Sequence, residues 1–182
     1  KRYYDIEEKI FKKINSLQNA YNDYCMMPKE AIAKTENRLG FSLTNEQKEA
    51  IYSLIDNNVV IITANAGGGK TTVVNGIIDM FKFKYSIALC SLSAKAAQRM
   101  IEVTGFEAQT IHRLLGYNGI NFKYNKTNLL PYNVIILDEA SMVNAKLFLD
   151  LISSIPEGSK LVLVFDDAQL PPIGVGNAAT DL

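Results

Sequence analysis

A chain of 182 residues with 48% apolar content can bury the core of one α/β domain with a small appendage. Its 19 basic and 19 acidic residues cancel, which excludes a global basic footprint and leaves any nucleic-acid binding to a local face. Two cysteines, Cys25 and Cys90, exclude a disulfide framework and fit a reducing, cytoplasmic compartment, and no apolar stretch reaches membrane-spanning length. No signal peptide is visible, and because Lys1 rather than Met begins the chain, it is expected to be cut from something longer.

From Tyr3 to Tyr21, apolar groups at Ile6, Ile10, Phe11, Ile14, Leu17 and Tyr21 keep helical spacing. Pro28 can open a second helix that runs through Ile32 and Leu39 and closes at Gly40. Residues 1–40 carry no evident chemistry and are expected to be a helical segment that packs on the main domain or joins it to an upstream one. Thr44-Asn45-Glu46-Gln47 starts a third helix, and two readings of Gln47 stand. Its amide can return to the Thr44 backbone N–H as a capping box, or it can hydrogen-bond an adenine edge.

The apolar run Val59-Val60-Ile61-Ile62 reads as a buried strand, followed by Ala64-Asn65-Ala66-Gly67-Gly68-Gly69-Lys70-Thr71-Thr72 and a helical pattern to Phe81. Strand, glycine-rich loop and helix form the context of a phosphate-binding loop. Glycines let successive backbone N–H groups point inward at an anion, and the helix adds its own free N–H groups and the positive end of its dipole. Residues Ala66 to Thr72 are therefore the expected nucleotide-binding segment, with Lys70 on the β- and γ-phosphates and the Thr71 hydroxyl on Mg²⁺. Ala64 stands where the strict pattern opens with Gly.

A second strand, Ser86 to Cys90, leads into Ser91-Leu92-Ser93-Ala94-Lys95-Ala96-Ala97-Gln98-Arg99-Met100, where Ser93 can cap a helix. Small hydroxyl residues and a lysine at a strand's carboxyl end suit either a second ligand or an ordinary helix start. His112, the one histidine, lies in Gln109 to Gly116 with no metal-binding company. Tyr117 to Asn128 reads as a short hairpin or a surface loop, since Ile120, Phe122 and Tyr124 alternate around an Asn118-Gly119 turn signal. A third strand, Val134 to Leu137, ends in Asp138-Glu139. Asp138 would hold Mg²⁺, and Glu139 would orient and deprotonate the attacking water. After a helix with Leu147, Phe148, Leu151 and Ile152 inward, a fourth strand, Leu161 to Phe165, runs into Asp166-Asp167-Ala168-Gln169-Leu170-Pro171-Pro172, where Gln169 could read the γ-phosphate. Alternating strands and helices predict a mostly parallel sheet with helices on both faces.

From about Phe41 to Leu182 the order of motifs resembles the first motor domain of superfamily 1 DNA helicases, in the RecD-like branch that moves 5′ to 3′. The segments that carry it are Ala-Lys-Ala-Ala-Gln-Arg-Met, Thr-Ile-His-Arg-Leu-Leu-Gly, Asp-Glu-Ala-Ser-Met and Gln-Leu-Pro-Pro-Ile-Gly, in that order after the phosphate loop. The resemblance implies a P-loop NTPase (RecA-like) fold for residues 41–182, ATP and Mg²⁺ as cofactors, and single-stranded DNA as partner. It gives Gln47 an adenine-reading role, assigns Ser93, Ala94, Lys95, Thr110, His112 and Arg113 to DNA contact, and makes Gln169 the residue that couples γ-phosphate to DNA. It also implies, as partners, subunits of a larger helicase or nuclease complex. Lys95, Arg99 and Arg113 are candidates for a local positive track, and Tyr117 and Phe122 for base stacking.

Two departures from that pattern stand out. Ala64, Asn65, Ala66 and Gly68 replace members of the usual loop, and Phe165 takes the place of a glycine near the nucleotide, where its bulk would alter fit. The family binds ATP between two motor domains, and this chain stops shortly after Gly176, so it is expected to bind Mg-nucleotide, hydrolyse it slowly and not unwind DNA alone. The competing readings are a P-loop ATPase with another task and a degenerate nucleotide-binding module.

Overall fold

The computed structural model describes residues 2–65, 67 and 69–166. In chain order it contains α1 (Arg2–Asn19), α2 (Pro28–Leu39), α3 (Asn45–Tyr52), β1 (Val59–Ala64), α4 (Lys70–Phe81), β2 (Ile87–Ser91) and α5 (Ala94–Thr104). These are followed by β3 (Ala108–Thr110), α6 (Ile111–Leu114), β4 (Val134–Leu137), a 3₁₀ turn (Ala140–Met142), α7 (Ala145–Ser153) and β5 (Lys160–Asp166). The strands form one five-stranded sheet in the order β1-β5-β4-β2-β3, and every neighbouring pair is parallel. This is the doubly covered α/β architecture that the alternation of elements predicts.

Local sequence accounts for most element ends. Pro28 opens α2, and Gly40 closes it at φ 79° with its N–H on the Glu36 carbonyl. Side-chain oxygens of Ser93, Thr110 and Asn144 each accept the N–H three residues on, starting α5, α6 and α7. At α3 both halves of the capping box form: Thr44 Oγ1 accepts the Gln47 N–H, and Gln47 Oε1 accepts the Thr44 N–H at 2.9 Å.

Strand residues divide by parity between two cores. Ala88, Cys90, Ile135, Leu137, Leu161, Leu163 and Phe165 meet α1, α6 and α7 on one face. Leu89, Val134, Ile136, Val162 and Val164 meet α2, α3, α4 and α5 on the other. The first two helices thus pack on opposite faces. Ile10, Ile14 and Leu17 of α1 are buried in the first core, whereas Phe11 and Tyr21 of the predicted stripe are exposed. Helix α2 is fastened to α4 by Asp79, whose carboxylate accepts from Thr35 at 2.8 Å, Arg38 at 2.7 Å and Lys82 at 2.6 Å.

Two features differ from the sequence expectation. β1 is an edge strand, with Ile61 42% exposed, because β5 pairs with it on one side only among the described residues. A fifth strand, β3, joins β2 through Leu89–Ala108, Cys90–Gln109 and Ser91–Thr110 pairing. Three half-buried residues are too short to carry a period. No helix among the described residues is long and apolar enough to cross a membrane.

Candidate nucleotide site

β1 delivers the glycine-rich turn to the carboxyl edge of the sheet. Gly67 at φ 80° and Gly69 at φ 82° adopt the left-handed backbone that side chains resist, and α4 starts at the next residue, Lys70. Lys70 Nζ donates to the Ala64 carbonyl at 3.0 Å and lies 3.4 Å from Asp166 Oδ1. Parallel register explains the second contact, since Ala64 and Asp166 are partners at the ends of adjacent strands.

β4 delivers the acids. The Asp138 N–H extends the ladder to the Cys90 carbonyl at 2.9 Å. Glu139 then turns at φ 52°, the one positive φ outside glycine among the described residues. Such a conformation is costly and is retained where a site needs a side chain redirected. Burial and the Glu139 charge push the Asp138 carboxyl above the usual range, while the Glu139 backbone N–H, Lys70 and Arg99 oppose the rise. The neighbouring Cys90 thiol, fully buried, is pushed up to about 12 by burial and by Asp138, so it stays a neutral packing group.

These segments enclose a cavity of about 370 Å³. Gly67, Gly69, Lys70 and Thr71 from the loop and α4, Asp138 and Glu139 from the end of β4, and Ala96, Arg99, Met100 and Val103 of α5 all line it. Thr72 stands outside that lining. Gln47 reaches the loop from α3: while its Oε1 caps the helix, its Nε2 donates to the Gly69 carbonyl at 3.4 Å. A Cβ on Gly69 would run into that amide. Capping and contact with the phosphate loop are thus made by the same side chain. Ala66, Gly68 and Gln169 lie outside the described residues.

Phe165 is 2% exposed. Its ring belongs to the core under α1, α6 and α7, and the flanking Val164 belongs to the opposite core, on the phosphate-loop side. Phe165 thus stands near the expected nucleotide, lining the cavity at the strand end, while strand alternation sets its ring in the opposite core. Sequence reasoning gave Asp166 no role and set Arg99 on a DNA track; the structure brings both to the cavity.

The DNA-contact candidates fall on two neighbouring segments. Ser91 and Thr110 are register partners at the ends of β2 and β3, so Ser93-Ala94-Lys95 and Thr110-Ile111-His112-Arg113 leave the sheet side by side. Ser93, Ala94, Lys95, His112 and Arg113 are exposed, whereas the Ser93 and Thr110 hydroxyls are committed to helix caps. His112, Tyr117 and Phe122 form an aromatic trio, with ring centroids 5.2 to 5.9 Å apart. Between them, Tyr117 and Phe122 close a tight antiparallel turn whose tip, Ile120, is 83% exposed. A second isolated bridge joins Asn125 to Asn128, so the stretch is two turns rather than a continuous hairpin ladder.

The model of the AAA domain family matches residues 47–175. The ATP-dependent RecD2 DNA helicase of Deinococcus radiodurans is 37% identical over 158 residues, covering 86% of this chain and 21% of that protein. The RecBCD enzyme subunit RecD of Mycobacterium tuberculosis is 32% identical over 163 residues, covering 76% of this chain and 28% of that subunit. A solved structure on DNA unwinding at forked double-stranded DNA by two coordinating Pif1 helicases aligns with a TM-score of 0.52 and 26% identity, over 72% of this chain and 35% of that one. The chain thus spans between about a fifth and a third of the length of these relatives. The RecD-like resemblance read from the motifs agrees with these relatives, and with a family match over most of its length the chain belongs to the AAA domain family.

Proposed function

We propose that residues 41–182 are the nucleotide-binding motor domain of an ATP-dependent DNA helicase that moves 5′ to 3′ along a single strand. Residues 1–40 brace it from both faces of the sheet. One observation carries the reading: Lys70, Thr71, Asp138 and Glu139, from two distant segments, line a single cavity beside a left-handed glycine turn. Phosphate oxygens suit the loop's N–H groups and the start of α4. Lys70 then exchanges the Asp166 carboxylate for the nucleotide's β- and γ-oxygens. Thr71 and Asp138 offer a hydroxyl and a carboxylate to one cavity and so fit Mg²⁺, which when bound neutralises phosphate charge. Glu139 accepts the proton of the attacking water, and Gln47 reads the adenine edge beside the loop.

Single-stranded DNA would cross the exposed Ser93–Lys95 and Thr110–Arg113 segments. The relatives are about three to four times as long, so the 182 residues alone are expected to turn over ATP slowly. A degenerate module draws its support from the altered loop and from Phe165, and the Phe165 ring lies in the opposite core. Phosphate release from Mg-ATP, measured with and without single-stranded DNA, tests the proposal. Slow turnover that disappears in Glu139→Gln supports it. Turnover indifferent to Glu139→Gln contradicts the site, and fast DNA-stimulated turnover contradicts the need for more chain.

A further inference from the structure

Helix α5 has two distinct sides. Ala96, Arg99, Met100 and Val103 follow helical spacing and face the cavity, with Ala96 and Met100 buried. Lys95, Gln98 and Glu102 lie off that stripe, and Gln98 donates to Glu102 across one turn at 3.4 Å. Arg99 is exposed, yet it lines the cavity together with Lys70, Thr71, Asp138 and Glu139, and its charge acts on the Asp138 carboxylate. It makes no hydrogen bond or ion pair with any described residue, although Glu102 shares its helix.

Resting on the nucleotide-binding reading above, we propose that Arg99 is a phosphate-binding residue supplied by the chain itself, contacting the terminal phosphate of a bound nucleoside triphosphate. The acids mark the end of the cavity where the bond to be cleaved must lie, so the cation beside them meets the terminal phosphate rather than the inner ones. A guanidinium offers paired donors that match two phosphate oxygens, and its charge stays fixed at every working pH. The consequence is discrimination between triphosphate and diphosphate.

The test is titration of the 182-residue chain with a non-hydrolysable ATP analogue and with ADP, both with Mg²⁺, in wild type, Arg99→Ala, Arg99→Lys and Lys70→Ala. Arg99→Ala is expected to weaken the triphosphate analogue about tenfold and ADP less than twofold, a charged hydrogen bond being of that size. Arg99→Lys should recover part of the loss. Unchanged affinities in Arg99→Ala, beside lost binding in Lys70→Ala, overturn the Arg99 assignment alone. Equal weakening of both nucleotides, with a lowered melting temperature, also overturns it, because that is the result of a structural role. Full binding in Lys70→Ala overturns the nucleotide site itself.

Discussion

The two ends of the sheet are both polar, but they use polarity differently. At the amino end the buried polar side chains of the described residues are paired. Gln18 Oε1 accepts the N–H groups of Asn58 and Val59 at 3.1 and 2.9 Å, and Asn58 Nδ2 donates to the Leu17 and Ala20 carbonyls at 3.0 and 2.7 Å. Lys160, 1% exposed, donates to the Asn57 carbonyl and Asn58 Oδ1 at 3.0 and 3.1 Å. At the carboxyl end, Lys70, Thr71, Arg99, Asp138 and Glu139 surround a space of about 370 Å³. Satisfied polar burial ties α1 to the sheet, whereas polar groups held around a space are ready for a ligand.

Phe165 gives the largest expected effect, because it stands at the functional end yet packs as architecture. Phe165→Ala should cost about 4 kcal/mol of stability, the usual price of removing a buried phenylalanine, measured by denaturant unfolding. A loss under about 1 kcal/mol would mean that the ring does not belong to the core.

Next comes the amino end. Burial pulls the Lys160 ammonium down to about 8 from an ordinary 10.5, partly offset by Asp56. Below pH 8 both folded and unfolded chains carry the proton, and the burial cost is constant. Between pH 8 and 10.5 the folded state releases it first, so stability rises with pH across that window. The gain of wild type over Lys160→Met should be about 3 kcal/mol by pH 10.5, at about 1.4 kcal/mol per unit. Parallel pH profiles for the two proteins would contradict an ammonium buried at that end.

The smallest effect separates the two uses of Gln47. Thr44→Ala and Gln47→Ala should each cost about 1 kcal/mol through the helix cap. Only Gln47→Ala should also weaken adenine nucleotide, leaving a guanine nucleotide unaffected. Equal nucleotide affinities in the two variants would reduce Gln47 to a cap.

How much of this was legible depends on range. Helix starts at Ser93 and Thr44 are local, and their residues announce them. The glycine turn and the acid pair are also local, so the cavity's loop and acids were readable as motifs. The Lys70–Asp166 contact was not, because it needs the β1–β5 register, which pairs residues about a hundred apart. The edge position of β1 among the described residues was hidden for the same reason: four apolar residues look alike whether one or two strands flank them. The place of Arg99 on the cavity lining was not legible either, because a charge on an amphipathic helix reads the same whether or not a ligand site lies beside it. Phe165 could have been read better. Period-two alternation from Leu161 already assigns it to the face opposite Val162 and Val164.

Calorimetric titration of the 182-residue chain with Mg-ATP, beside Lys70→Ala, tests the central claim most directly. The account predicts measurable binding in wild type and a loss of roughly ten- to a hundredfold in a variant that still melts cooperatively, since a phosphate contact from a charged donor contributes roughly 1.5–3 kcal/mol. Equal affinities in the two folded proteins would contradict the assignment of this cavity to a nucleotide.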